Sequence, residues 1–158
     1  VSNCYKIVLK NNSNAADIAE KLSSLAAEKI GENIDDILED KAKFIEQNHS
    51  KATYASKIDK TEGKIDWNDS SQRIIGKING LYPSPGAFFI FKGERYKILK
   101  AETASGIGAP GEVISDYLEI VCGDKKTIKI NEIQRQGKRP QKIGEFMLGT
   151  QIKKGSII

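Results

Sequence analysis

Residues 87–103 run AFFIFKGERYKILKAET, and this stretch decides the fold because an apolar, aromatic run is followed, from Arg95, by alternating polar and apolar side chains. A period of two is typical of a strand that packs one face on a core, and the Lys92-Gly93-Glu94 break between the two runs predicts a hairpin. The pattern continues along the chain and predicts five strands, at 87–92, 95–103, 112–115, 118–122 and 127–134. Five short strands at close, regular spacing predict a mainly β fold, either a small barrel or a sandwich.

Helical patterns flank the predicted strands. Asp69 and Gln72 have the spacing of a capping box, and the isoleucines that follow predict a leading helix that ends at Asn79-Gly80. A short last helix is expected at 142–148, followed by a solvated tail at 153–155. Residues 48–67 lack an amphipathic period and are rich in Ser, Thr, Lys and Asp, which predicts an extended linker.

The first 47 residues have a different pattern. A strand is predicted at 5–9, then a helix from Ala15 that Gly31 ends, then a second helix from Asn33. One strand and two helices are too few for an independent domain, so we expect the remnant of an α/β domain. The chain begins at Val1 without an initiator methionine, which we interpret as a sign that it was cut from a longer polypeptide.

Composition narrows the class of protein. No apolar run exceeds five residues and no signal-peptide pattern opens the chain, so we expect no membrane association. The two cysteines, Cys4 and Cys122, form no recognisable disulfide or metal-binding framework. A cytoplasmic, thiol-reduced protein is therefore expected.

Charge is distributed unevenly along the chain. Residues 1–50 carry six Lys and nine Asp or Glu, a net charge of −3, whereas residues 51–158 carry 19 Lys or Arg and twelve acids, a net charge of +7. A basic segment of this kind favours a polyanionic partner that is held through its phosphates. The predicted nucleic-acid-binding residues are the basic side chains that cluster in this segment: Lys57, Lys60, Lys64, Arg73, Lys77, Lys92, Arg95, Lys97, Arg135, Lys138, Arg139 and Lys142.

Catalytic machinery is scarce in the sequence. His49 is the one histidine, and it lies in the predicted linker, so the sequence offers a poor candidate for the base of a nucleophile–histidine–acid triad. Residues 106–111 match the letters of a G-x-G-x-x-G fingerprint, but Pro110 lies within it and a predicted strand follows where a dinucleotide site needs a helix. We predict no catalytic, cofactor-binding or metal-ligating residue in this chain, and the residues by themselves indicate a binding module.

Several segments of the chain resemble the methionyl-tRNA formyltransferase family. The most specific are YASKI at 54–58 and IDW at 65–67; looser matches are INGLYPSPGA at 78–87, APGEVI at 109–114, VCGD at 121–124 and LG at 148–149. The resemblance implies that 1–47 is the tail of the family's Rossmann-like catalytic domain, 48–67 a linker, and 68–158 an OB-like, partly open, five-stranded C-terminal barrel that presents a positive surface to tRNA.

The resemblance also implies an activity for the longer protein. The family transfers a formyl group from 10-formyltetrahydrofolate to the amino group of methionyl initiator tRNA in translation initiation, using an Asn, a His and an Asp that have no counterpart here. We therefore expect this chain to be inactive alone and to hold no cofactor. Its expected partners are the initiator tRNA and the family's N-terminal catalytic domain, within a monomeric full-length protein.

Two alternatives remain open at this stage. The barrel could belong to a sugar-nucleotide formyltransferase, in which a similar C-terminal domain does not bind RNA. It could also be a structural or dimerising module whose positive charge has no ligand. The +7 segment and the IDW linker motif favour the tRNA enzyme.

Overall fold

The computed structural model describes residues 3–10 and 12–158. The chain divides into two compact units, Val1–Lys57 and Ile58–Ile158, and each is described by itself. Within the described residues, no helix is both long enough and apolar enough to cross a bilayer.

The first unit contains one long helix, α1, at Ala15–Leu38. Asn14 begins it with a capping box, in which its side chain accepts from the Asp17 amide at 3.0 Å and Asp17 accepts from the Asn14 amide at 3.1 Å. The predicted division into two helices at Gly31 is wrong. The helix continues through Gly31 because a single interior glycine costs only about 1 kcal/mol, and side-chain contacts such as Lys29 to Glu32 at 2.8 Å support the backbone across it.

The strand predicted at 5–9 is also wrong, since these residues have no regular secondary structure. An isolated alternating segment gains strand geometry only by pairing with a neighbour, and no described segment pairs with it. The first unit buries little apolar surface: no residue of α1 is buried, and Ile30, Leu38, Phe44 and Ile45 are exposed.

The second unit is a five-stranded antiparallel sheet with two helices, which confirms the mainly β, open-barrel prediction. The strands follow the order β1-β2-β4-β3, and β5 pairs with the far end of β4. The elements are α2 Ser71–Gly80, β1 Ala87–Phe91, β2 Glu94–Ser105, β3 Glu119–Val121, β4 Lys126–Arg135, β5 Gln141–Lys142 and α3 Ile143–Gly149.

The predicted strand at 112–115 is not formed, and a strand that was not predicted, β5, brings the number to five. Residues 112–115 form only single bridges, Val113 to Ile120 and Glu112 to Ile157, whereas β5 has two residues. Residues 153–155, the predicted solvated tail, are exposed, but the residues on either side of them pack with the barrel. Ile152 is fully buried, the Val113 amide donates to the carbonyl of Ser156 at 2.9 Å, and the Ile158 amide donates to that of Gly111 at 3.0 Å.

Residues 58–67, which we call the leading segment, pack with the barrel although they were predicted to be linker. Ile65 and Trp67 are each 5 % exposed, and the Ile65 amide donates to the carbonyl of Phe88 in β1 at 2.8 Å. Trp67 meets Phe89 edge to face at 6.1 Å, and Phe89 stacks on Tyr96 at 5.3 Å. The aromatic centre of the core therefore draws on both the leading segment and the strands.

The start of α2 differs from its prediction by one residue. Ser70 is the N-cap, and its side chain accepts from the Arg73 amide at 3.3 Å, so the predicted capping box of Asp69 with Gln72 is wrong. The Asp69 carbonyl instead accepts from the Gly123 amide at 3.0 Å, which ties the start of α2 to the turn between β3 and β4.

Candidate nucleic-acid interface

A cavity of about 450 Å³ opens at one end of the barrel, which we call the mouth. The hairpin turn after β1, the end of β4 and the turn after β4 supply its cations, and β5 and α3 form another part of its wall. Its lining comprises Phe91, Lys92, Glu94, Tyr96, Arg135, Lys138, Arg139, Gln141, Glu145, Phe146, Gly149, Thr150 and Gln151. The mouth thus gathers four predicted nucleic-acid-binding residues around two carboxylates.

Glu94 is held at the centre of the mouth by two donors. Arg135 donates through Nη2 to one carboxylate oxygen, and the Tyr96 hydroxyl donates to the other at 2.7 Å. The hydrogen bond from Arg135, followed by that from Tyr96, lowers the pKa of Glu94. Burial, reinforced by Glu94, raises the pKa of Tyr96 to about 12. Arg135 is therefore partly neutralised before any ligand arrives.

The remaining cations of the mouth are exposed. Lys92 lies in the turn after β1 with a positive φ of 49°, its ammonium 5.5 Å from the ring centre of Phe91. Lys138 and Arg139 follow β4 in an exposed turn, where the Lys138 carbonyl accepts from the side chain of Gln134. No carboxylate pairs with these three side chains among the described residues, so their full charge is available to a ligand.

The outer face of the sheet holds a second basic site. Arg95 and Lys97 are two residues apart in β2 and therefore share a face. They line a groove of about 240 Å³ with Gln134, Arg135, Gln136 and Gly137. This groove contains no acidic side chain.

The other predicted residues are more dispersed. Arg73 pairs with Asp69 at 3.2 Å, and Lys77 donates to the carbonyl of Lys64 at 2.9 Å, so both are engaged within the protein. Lys60, Lys64 and Lys142 are exposed. Lys57 is also exposed but belongs to the first unit.

Sequence reasoning missed the neutral and acidic members of these sites. Glu94 and Tyr96 lie two residues apart in β2, and their spacing indicates a shared face, but their link to Arg135 spans 41 positions and depends on the register of β2 with β4. Gln134 and Gln136 carry no charge and gave no signal.

Chemistry-bearing groups are sparse in the parts of the chain that the structure describes. No group of three or more His, Cys, Asp or Glu side chains is arranged to hold a metal ion there. His49 lies in an exposed 3₁₀ turn, His49–Lys51, of the first unit. Buried Cys122 has a thiol whose pKa is raised to about 12, chiefly by burial. The arrangement is suited to binding anions through fixed cations.

A leading helix, a small open barrel and basic sites at its mouth and outer face define a mainly β module with two cation-rich surfaces. The chain belongs to the formyl transferase C-terminal domain family, whose sequence model matches residues 57–151.

Relatives extend the match to the whole chain. The methionyl-tRNA formyltransferase of Pelagibacter ubique is 64% identical over all 158 residues, which cover 51% of that protein. The methionyl-tRNA formyltransferase of Bradyrhizobium diazoefficiens is 36% identical over 99% of this chain and 51% of its own length. The chain thus spans about half the length of the curated relatives it matches.

Solved structures with the same fold come from HypX of Aquifex aeolicus. One variant superposes with a TM-score of 0.68 at 18% identity, over 89% of this chain and 28% of that one. A HypX complex with tetrahydrofolic acid gives a TM-score of 0.61 at 17% identity, over 84% of this chain and 27% of that one. At such identities the likeness shows the fold alone.

Proposed function

We propose that this chain is the C-terminal, tRNA-binding portion of a methionyl-tRNA formyltransferase, an enzyme of translation initiation in the cytoplasm. The full-length enzyme transfers the formyl group of 10-formyltetrahydrofolate to the amino group of methionyl initiator tRNA. The observation that carries this proposal is the 64% identity with a protein of that name across all 158 residues. The predicted nucleic-acid-binding residues supply the physical means.

Each part of the chain has a place in this proposal. Residues 1–47 are the tail of the catalytic domain, 48–67 the linker and 68–158 the tRNA-binding barrel, with the leading segment packed on that barrel. The exposed apolar side chains of α1 support the assignment of the first unit, because a helix with no buried residue has an unpaired apolar face. The rest of the catalytic domain is the partner that would cover it.

The barrel contributes to the reaction by positioning. A tRNA body that is held rigidly brings its acceptor amine to a distant active site at a high effective concentration. Contacts with the sugar-phosphate backbone are enough for this purpose, since they fix orientation without reading bases. Selection of the initiator tRNA then belongs to the remainder of the enzyme.

The folate donor does not fit the groove described on the first unit. The groove on the first unit is lined mainly by charged side chains and has no aromatic ring to stack on a pterin; its lining is Lys10, Asn12, Ser13, Asp17, Glu20, Lys21, Ser24, Leu25 and Glu28. We therefore derive no chemical step through the donor in this chain.

The test is binding of the 158-residue chain to tRNA and to heparin, titrated from about 50 to 200 mM salt. Release of counterions makes the affinity for a phosphate-tracking protein fall steeply with salt over this range. We expect a steep slope and a preference for tRNA over heparin, because a shaped surface distinguishes a folded RNA from an unstructured polyanion. Absence of tRNA binding at 50 mM salt would contradict the proposal.

A charge variant makes the test specific. Arg135, Lys138, Arg139 and Lys142 changed together to Gln should weaken tRNA binding and flatten its salt dependence, by about 0.7–0.9 in slope for each lost phosphate contact. The matched control is Lys126→Gln, at the opposite end of β4. If both variants lose tRNA affinity equally, binding depends on net positive charge and not on the particular residues of the mouth.

The two other candidates make different predictions. A sugar-nucleotide formyltransferase would be indifferent to tRNA at every salt concentration. A dimerising module would associate in a concentration-dependent way, which sedimentation equilibrium measures directly. The identity with methionyl-tRNA formyltransferases over the whole chain favours the tRNA-binding assignment over both of these candidates.

A further inference from the structure

The groove on the outer face of the sheet differs from the mouth in its charge balance. Its members are Arg95 and Lys97 of β2, Gln134 and Arg135 of β4, and Gln136 and Gly137 of the turn that follows. The backbone holds them together, because the Gln136 amide donates to the carbonyl of Arg95 at 3.0 Å and Lys97 lies opposite Gln134 in the sheet. With no carboxylate in its lining, the groove has uncompensated positive charge.

Arg95 is fixed in this groove without an ion pair. Its guanidinium carbon lies 3.7 Å from the ring centre of Phe88, which is cation–π geometry. Its Nε is buried and has no hydrogen-bond partner. A ligand therefore meets the Nη edge of a planar fork that is already oriented, which reduces the conformational entropy lost on binding. Arg73 and Arg135 each pair with a carboxylate, and Arg139 lies unpaired in the exposed turn after β4 without a ring to hold it among the described contacts.

The platform beneath Arg95 is itself rigid. Phe88 is only 7 % exposed, and its carbonyl accepts from the amide of Ile65. Gly63 lies so close that a Cβ there would be 3.3 Å from the Phe88 ring and 2.4 Å from the carbonyl oxygen of Gly86. The leading segment thus holds the ring on which Arg95 rests.

Lys97 is anchored beside it. Its aliphatic stem crosses Gly86, where a Cβ would come within 2.5 Å of the lysine Cδ. Its ammonium donates to the carbonyl of Pro83 at 3.4 Å, which leaves further donors for a ligand. Arg95 and Lys97 together provide a fork and a point charge on one face of β2.

We propose that this groove binds one phosphate group of an RNA backbone, with the Nη atoms of Arg95 as the bidentate donors and Lys97 as the accompanying cation. The groove, about 240 Å³ in volume, has room for a phosphodiester group beside Arg95 and Lys97. The inference rests on the proposed function for RNA as the source of the phosphate. It assigns the leading contact to Arg95, ahead of the paired Arg135.

The test compares two variants of Arg95 with a charge control. Arg95→Lys keeps the charge and loses the fork, Arg95→Gln removes both, and Lys126→Gln removes a charge at the far end of β4. We expect Arg95→Lys to weaken tRNA binding about tenfold, since charge-assisted hydrogen bonds are lost. Arg95→Gln should also lower the salt slope by about 0.7–0.9, whereas Lys126→Gln changes affinity less than twofold.

A second readout keeps the inference testable if a variant is poorly folded. The ¹H–¹⁵N signal of Arg95 Nε in the unaltered chain, assigned by its absence in Arg95→Lys, should shift on adding tRNA. An unshifted signal, or unchanged affinity and slope in both variants, overturns the inference and leaves the proposed function standing if tRNA still binds. A shift with inorganic phosphate in a chain that does not bind tRNA would overturn the RNA assignment together with the proposed function.

Discussion

Gly123 offers a sharp test of how the residues between the leading segment and α2 are joined to the barrel. A Cβ at this position would lie 1.9 Å from the carbonyl oxygen of Asn68 and 2.7 Å from its carbonyl carbon. Both atoms belong to the backbone, so they cannot move aside as a flexible side chain can. The φ of Gly123 lies outside the left-handed region, and Gly123→Ala therefore acts through this clash and not through backbone strain.

The expected loss follows from two contributions. Overpacking costs about 1–3 kcal/mol, and displacing Asn68 strains the neighbouring hydrogen bond from the Gly123 amide to Asp69, worth about 0.5–1.5 kcal/mol. We expect a decrease of about 3 kcal/mol in the free energy of unfolding of the second unit. For about 100 residues, this lowers Tm by roughly 10–20 °C.

Thermal and urea unfolding, followed by the fluorescence of Trp67 and by circular dichroism, measure this loss. Gly76→Ala is the matched control, because Gly76 lies in α2 with no atom within 4 Å of its added Cβ. Alanine should stabilise that helix by up to about 1 kcal/mol. If Gly123→Ala unfolds within about 0.5 kcal/mol of the unaltered chain, the close contact with Asn68 is not a fixed part of the fold.

Three further predictions concern other parts of the molecule. Glu94→Gln should lower the free energy of unfolding near neutral pH, because the hydrogen bond from Arg135 lowers the pKa of Glu94 in the folded state. The difference in unfolding free energy between the variant and the unaltered chain should therefore shrink as pH falls below 4.5. Urea titrations from pH 7 to 3 in which this difference stays constant would contradict the prediction. Exposed Cys4 should react with a thiol reagent at pH 8, while buried Cys122, whose pKa is raised to about 12, should react only after unfolding; two fast equivalents per chain would be the contrary result. Ile152→Ala should cost about 2–5 kcal/mol in urea unfolding because Ile152 is fully buried just before the exposed tail, and a loss below about 0.5 kcal/mol would place its side chain in solvent.

The sequence predicts the central sheet well because its longest strands alternate clearly. In β2 and β4, the buried residues Tyr96, Ile98, Ile128 and Ile130 recur with period two, because successive side chains of a strand point to opposite faces and one face is buried. β5 has only two residues, too few for any period to emerge. Gly31 illustrates the opposite error, since a glycine signals a helix end statistically but costs too little to end a long helix.

The candidate sites were only half visible for a related reason. Clusters of Lys and Arg are a local property of the sequence, so the basic residues could be found. Whether each charge is free depends on contacts across the sheet. Glu94 neutralises Arg135 from 41 positions away, and the stack of Arg95 on Phe88 depends on the β1–β2 register. No composition or spacing rule contains that information.

The closure of the barrel by distant segments has a consequence for protein synthesis. Ile65 pairs beside β1, while Ile158 pairs beside Gly111, so the core is complete only when all of residues 58–158 are present. At about 5–20 residues per second, a ribosome needs roughly 5–20 s to make such a stretch. Once β1 and β2 are made, the apolar side chains of β1 still lack the later part of the core, which includes Phe146 and Ile152. During that time the exposed apolar surface of the nascent chain is prone to aggregation, and folding of the barrel removes it.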